Sequence, residues 1–294
     1  EVEQGGGNGG GNGGASREFS SLGLAVEQER TLKAALGIGG GVILCVGPTG
    51  SGKSTLLHSV LRYLHRPELH LVAIEDPVER FVPGVSQCEI NEHRGVTYHS
   101  LLRAMLRQDP DVVMLGEIRD SETAELALAA GLSGHLILST LHAGSCIECF
   151  SRLSQLGVSA ELATLAVRLI VAQRLLPLNC PACAVSHPAS PLLANYLRIE
   201  AGVSLYSGTG CSQCDHTGRC GRTGVFELLL CTENVKRAAR QFATTHDVGC
   251  FREALHEEQY EPYSWRIREA LVEGKTSPRA ALGALGLNPE IFGY

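Results

Sequence analysis

Nine consecutive residues, Gly47-Pro48-Thr49-Gly50-Ser51-Gly52-Lys53-Ser54-Thr55, combine the groups that hold a chain of phosphates. The three glycines let the backbone curl until successive amide N–H groups point inward at anionic oxygens. Lys53 adds a point charge, and Ser54 offers a hydroxyl to Mg²⁺. Carboxylates follow at two places. Glu75, Asp76 and Glu79 stand in the stretch Ala73 to Glu79, and Glu117 closes the apolar run Asp111 to Gly116 in the manner of a Walker B acid. An acid beside Mg²⁺ and a triphosphate either holds the ion through water or polarises the attacking water. His142 follows a further apolar run, His135 to Thr140. This set implies a nucleoside triphosphate, ATP, bound with Mg²⁺.

A second chemistry lies in the eleven cysteines. Cys180-Pro181-Ala182-Cys183 and Cys211-Ser212-Gln213-Cys214 are two C-x-x-C pairs separated by 27 residues, 184 to 210. Each pair presents two thiolates from a tight knuckle, and two knuckles complete a closed, structural Zn²⁺ site. The stretch between them, with Pro181, Pro188 and Pro191, reads as loop-rich, with little core and in need of a staple. A third pair, Cys146 and Cys149, falls in an S-x-x-E capping box made by Ser145 and Glu148. That box places both thiols in the first turn of a helix, with no partner pair to complete a site. Cys45, Cys88, Cys220, Cys231 and Cys250 read as small packing residues. Use of ATP implies a reducing compartment, where disulfides are not the default.

The elements that must position these groups are written in the hydrophobic pattern. Gly41 to Val46 is continuously apolar, as a strand buried on both faces should be. After the loop, Leu56, Leu57, Val60, Leu61 and Leu64 recur at helical spacing. Further strands are expected at Leu69 to Ile74, Asp111 to Leu115 and His135 to Thr140. Helices are expected at Ala25 to Leu36 and around Leu101, Leu102, Met105 and Leu106, the latter closed by Pro110. Leu162 to Leu178, which carries Arg168, Gln173 and Arg174, reads as a packed helix. Strands alternating with helices argue a mostly parallel sheet covered on both sides, with ligands at the carboxyl ends of the strands.

Composition bounds the remaining classes. The 294 residues are 44% hydrophobic, enough for a real core. Lys+Arg 25 against Asp+Glu 31, with 5% aromatics, argues against a basic, aromatic-studded nucleic-acid surface. No stretch of about 18 uncharged apolar residues suggests a membrane span. The chain opens on Glu1 and reads as a piece of something longer. Its start, with GGGNGGGNGG, cannot form a core and is expected to be a flexible linker.

Taken in order, GPTGSGKST, AIEDPVE, LRQDPDVVMLGEIRD and SGHLILSTLH resemble the Walker A, Asp box, Walker B and His box of one family. These are the secretion-type ATPases that power type II secretion (GspE/PulE type) and type IV pilus assembly (PilB type). The tetracysteine element followed by GRTGVFELL, Gly221 to Leu229, resembles the secretion and pilus-assembly members. Retraction and conjugation members typically lack it. The resemblance runs from about Phe19 to Leu282. It implies an α/β fold, with a mostly parallel RecA-like P-loop ATPase core and a zinc-stapled, mainly helical C-terminal subdomain. It also implies ATP hydrolysis in a homo-hexamer that extrudes pilus or pseudopilus subunits. The expected partner is an inner-membrane platform protein, and the expected place is the cytoplasmic face of that membrane. No direct nucleic-acid partner is expected; the competing reading is a DNA-uptake or transfer motor whose zinc element binds nucleic acid.

By position, Glu79 matches the glutamate that the family uses to activate water, Glu117 the Walker B acid near Mg²⁺, and His142 the His box; the residue pattern alone names Glu117 as the base, so both acids stay candidates, with Glu79 preferred. Three departures stand out: Arg80 where an aromatic is usual, Ser133 for threonine, and Ala143-Gly144 for Thr-Asn. Family members carry a PAS-like domain upstream that supplies arginines to the nucleotide. Nothing before Phe19 resembles it, so slow hydrolysis by this chain alone is expected. The expected organisation is a linker over residues 1–18, the ATPase core over 19–178 and the tetracysteine element over 179–221. A C-terminal subdomain over 222–284 and a tail over 285–294 complete it.

Overall fold

The structure, a computed structural model, describes residues 19–200 and 202–294. The expected linker, residues 1–18, lies outside them. Nine strands are described: β1 (Gly41–Val46), β2 (Leu71–Glu75), β3 (Val85–Glu89), β4 (Val112–Leu115), β5 (Leu136–Leu141), β6 (Val167–Asn179), β7 (Ala184–Pro188), β8 (Ser204–Gly208) and β9 (Arg219–Leu230). Seven form one sheet in the order β3-β2-β4-β5-β1-β6-β9, parallel throughout except that β9 runs antiparallel to β6.

Helices cover both faces. α1 (Val26–Gly37) and α2 (Lys53–Leu64) lie on one side with Ile43 and Cys45 of β1. On the other, Val42, Leu44 and Val46 pack against α3 (Tyr98–Met105), α4 (Ser121–Leu132), α5 (Cys146–Gln155) and α6 (Ala160–Ala166). That face continues to α8 (Glu233–Thr245) and α9 (Phe251–Glu257). Alternate residues of β1 thus enter opposite cores, so the sequence shows an unbroken apolar run rather than an in-out alternation. No helix among the described residues is long and apolar enough to cross a membrane.

Two expectations are corrected here. Leu162 to Leu178 is not one helix: α6 ends at Ala166, and β6 begins at Val167. Leu169 and Val171 enter one core, and Ile170 and Ala172 the other, a period-two pattern. A strand buried on both faces and a buried helix are alike in composition, and the β-branched Val167, Ile170 and Val171 tip the balance to the strand. The second correction concerns the stretch between the C-x-x-C pairs. It folds as β7, α7 (Pro191–Leu197) and β8, and it has a core. Leu193, Leu197 and Leu205 pack with Ile267 and Leu271 of α10 (Tyr263–Val272) and with Leu282 of α11 (Pro278–Ala284). These apolar residues are too few in any one segment to announce themselves; they become a core because distant helices meet there.

The long β6–β9 ladder links this lobe to the main sheet, since both strands run from one into the other. The last residues dock on the lobe as well. Ser190 caps α7 and donates to the Phe292 carbonyl at 2.8 Å, and its N–H donates to the Tyr294 hydroxyl at 2.8 Å.

Candidate functional site

Four parallel strands, β1, β2, β4 and β5, end side by side, and the chain beyond each supplies the wall of one cleft of about 610 Å³. The loop after β1 presents Thr49 to Thr55, with Gly47 and Pro48 leading into it. Gly52 caps α2 at φ 92°, and a Cβ there would stand 2.7 Å from Nε2 of Gln173 beneath it. The positive φ favours glycine there. Lys53 spans the loop, its Nζ donating to the carbonyls of Gly47 at 2.9 Å and Pro48 at 3.0 Å. Burial holds its ammonium below the usual lysine value.

The acids arrive as the topology dictates. Glu75 and Asp76 come from the end of β2, Glu79 from the loop beyond, Glu117 after β4, and His142 after β5; all five line the cleft. Their environments differ. Glu75 is buried with both oxygens engaged, Oε2 by His58 Nε2 at 2.8 Å and Oε1 by Gln87 Nε2 at 2.8 Å. Burial pushes its carboxyl up, but these hydrogen bonds and the His58 charge together bring it below the ordinary value. Glu79 is exposed to the cleft. Glu117 Oε2 lies 3.3 Å from His142 Nε2, and Oε1 pairs with Arg119. Arg119 also reaches Asp76 at 3.3 Å and lies over the Tyr98 ring, 5.8 Å from its centroid.

Two cationic residues at this site were not singled out from the sequence. Arg119 stands two residues after Glu117 in Gly116-Glu117-Ile118-Arg119-Asp120, and that spacing in extended backbone was a usable signal. Arg222 lines the cleft from β9, opposite Pro177 of β6; it stands in the GRTGVFELL stretch, but nothing in that stretch indicates that it reaches the cleft.

Far along the β6–β9 ladder, Cys180, Cys183, Cys211 and Cys214 converge with all four sulfurs within 4.8 Å of one another. The Cys180–Cys211 and Cys183–Cys214 sulfurs are 3.9 Å apart, and the Cys211–Cys214 pair 3.7 Å. Tetrahedral Zn–S bonds of about 2.3 Å place sulfurs roughly 3.8 Å apart, so the donor set fits the ion. Backbone N–H groups favour thiolates here: Gly210 donates to Cys183 at 3.3 Å, and Cys211 and Gly218 donate to Cys214 at 3.2 Å. The Cys211 N–H above all, against burial, brings the Cys214 thiol down to about 6. Among the described residues this is the one such metal-ligand cluster.

Cys146 and Cys149 stay out of it. Both are buried in the first turn of α5, and burial raises both thiols above the ordinary value. Ser145 accepts from the Glu148 N–H at 3.2 Å as a cap should, but Glu148 reaches back to the N–H of Gly144 at 2.7 Å rather than to Ser145. Cys45 and Cys231 are buried packing residues, each pushed up by burial to about 12, whereas Cys220 is exposed rather than packed in a core.

The family described as "Type II/IV secretion system protein" matches residues 12–283. The chain belongs to that family. It is 41% identical over 221 residues to the type II secretion system protein E of Dickeya dadantii, covering 75% of this chain and 44% of the relative. It is 38% identical over 225 residues to the type IV pilus assembly ATPase PilB of Thermus thermophilus, covering 75% of this chain and 25% of that protein. The chain thus spans less than half the length of these relatives. Among solved structures, the pilus retraction motor PilT with bound ADP superposes with a TM-score of 0.66 at 26% identity, over 91% of this chain and 66% of that one. The Legionella pneumophila ATPase DotB shares the fold, with a TM-score of 0.64 at 21% identity, over 92% of this chain and 65% of that chain. The mostly parallel, RecA-like core expected of this family is therefore the fold observed.

Proposed function

We propose that this chain is the ATP-hydrolysing core of a type II secretion or type IV pilus assembly motor. In this reading six copies work together at the cytoplasmic face of the inner membrane against a platform protein, turning ATP hydrolysis into extrusion of pilus or pseudopilus subunits. The observation that carries the reading is the convergence of Lys53, Ser54, Glu79, Glu117 and His142 in one cleft at the ends of four strands. The net charge of −6 supports protein rather than nucleic-acid partners.

Within the cleft, backbone N–H groups of the loop and Lys53 hold the β- and γ-phosphates. Ser54 would hold Mg²⁺, with Glu117 reaching the ion through water, and the bound ion would offset phosphate charge. Glu79, exposed at the cleft wall, takes the proton from the attacking water. Glu117 is the poorer base, because Arg119 and His142 already occupy its two oxygens. His142 keeps Glu117 oriented. In the lobe, Cys180, Cys183, Cys211 and Cys214 hold Zn²⁺ in a closed structural site.

The test compares two conservative changes in a form of the protein that turns over ATP. Glu79→Gln is expected to slow hydrolysis by about 10²–10⁴-fold with ATP binding near normal, the usual yield of a general base. A neutral Glu79→Gln beside a crippled Glu117→Gln would transfer the role to Glu117.

A further inference from the structure

Glu79 sits in a loop, yet a general base must be held to within a fraction of an ångström of its water. The hydrogen bonds of that loop show how. The N–H of Val78, just before Glu79, donates to Oε2 of Glu89 at 3.0 Å. The carbonyl of Arg80, just after it, accepts from Nε2 of Gln87 at 2.9 Å. Two residues further on, the N–H of Val82 donates to Oε1 of Gln87 at 2.8 Å. Gln87 and Glu89 are two apart on β3, so both side chains leave the same face of the strand. The backbone on either side of Glu79 is thus gripped by one strand, while the Glu79 side chain is left to the cleft.

The grip extends to the phosphate loop. Nε2 of Gln87 also donates to Oε1 of Glu75, whose other oxygen bonds His58 on α2, the helix that Lys53 begins. His58 and Glu75 are both buried, with side chains 3% and 6% exposed, so neither has water as an alternative partner. A continuous chain therefore runs from the phosphate-loop helix through His58, Glu75 and Gln87 to the backbone carrying Glu79.

We propose that Gln87 and Glu89 are positioning residues for Glu79, and that the His58–Glu75 pair ties this clamp to the phosphate-loop helix. The proposal rests on the reading of Glu79 as the base. It also gives Glu75 a task other than contact with the nucleotide: its carboxylate is consumed in fixing the loop.

The test is a double-mutant cycle with ATP turnover and ATP affinity read separately. Gln87→Leu removes both hydrogen-bonding groups and is expected to lower kcat about ten- to a hundred-fold, the cost of a misplaced group, while affinity for a fluorescent ATP analogue stays unchanged. In the Glu79→Gln background the same change should add nothing, because the two act as a unit. Glu89 is exposed, so Glu89→Ala leaves folding intact; it should lower kcat in the same way, and Glu89→Gln, which keeps an acceptor oxygen, should restore it. Wild-type kcat in Gln87→Leu and Glu89→Ala beside a slow Glu79→Gln overturns the clamp alone. So do effects that multiply with Glu79→Gln, or affinity lost in step with kcat. A neutral Glu79→Gln instead overturns the base assignment on which the clamp depends.

Discussion

Around the phosphate loop, β1, β2, β4 and β5 are buried at every position, and each packs helices on both faces. In the cysteine lobe, β7 and β8 form a two-stranded ribbon in which Leu205 is the only fully buried position. The first region keeps its shape through apolar area; the second has one small core and a cluster of four thiols where the chain turns back. A cleft that must present charges to a charged ligand needs a scaffold indifferent to them. A lobe with little to bury needs a covalent-like tie, and a metal held by the four thiols would supply one without a large core.

The largest effect expected from this difference is on the lobe. Cys211→Ser should abolish zinc binding, which in small domains is worth about 10–16 kcal/mol of apparent free energy. Because Leu193, Leu197 and Leu205 are anchored on the C-terminal helices, loss of structure should stay at the two knuckles and spare α7. Zinc content by elemental analysis and limited proteolysis read the two halves of that statement. Full zinc content in the variant would refute the site, and cleavage throughout residues 184–210 would refute the lobe's own core. ATP binding should be unaffected, since the cleft belongs to the other region.

Lys53→Ala makes the reciprocal cut. It removes the buried ammonium and its charge-assisted contacts, worth about 1.5–3 kcal/mol each, so ATP affinity should fall by roughly a hundred-fold or more. Zinc content and thermal stability should hold, because β1 and α2 keep their apolar contacts. Titration with a fluorescent ATP analogue showing wild-type affinity would contradict the assignment of the loop.

The smallest effect separates the lobe's core from its staple. Ser190→Ala loses the cap of α7 and the bond to the Phe292 carbonyl, a change of about 1 kcal/mol. Amide exchange should quicken in α7 and in residues 289–294 while β1 and β5 keep full protection. Equal loosening of both regions would mean that they unfold as one.

Much of the site was legible because its signals are local. A glycine-rich loop between a buried strand and a helix, and acids closing apolar runs, each declare their chemistry within about ten residues. Other features are not local. Both C-x-x-C pairs could be read, but not the meeting of Leu193 and Leu205 with Leu271 and Leu282, which lie roughly 70 to 90 residues away in sequence. Leu162 to Leu178 misled because an apolar run records burial, not the geometry of the backbone that is buried. Arg222 could not be placed at the cleft from its own stretch, because it reaches it only as β9 returns antiparallel along β6.

The sequence by itself determined which residues are the candidates to meet phosphate and metal, because those chemistries require fixed residue types at fixed short spacing, and backbone geometry over four to nine residues is nearly dictated by glycine, strand and helix. Only the tertiary structure decided how each acid is disposed. Glu75, Glu79 and Glu117 are the same chemical group in similar settings along the chain. One is buried between His58 and Gln87, one stands exposed to the cleft, and one is shared by Arg119 and His142. The partners that separate them come from α2, β3 and the segments after β4 and β5, elements brought together by the order in which the parallel strands pack. A carboxylate's role follows from its partners, and partners are assigned by topology.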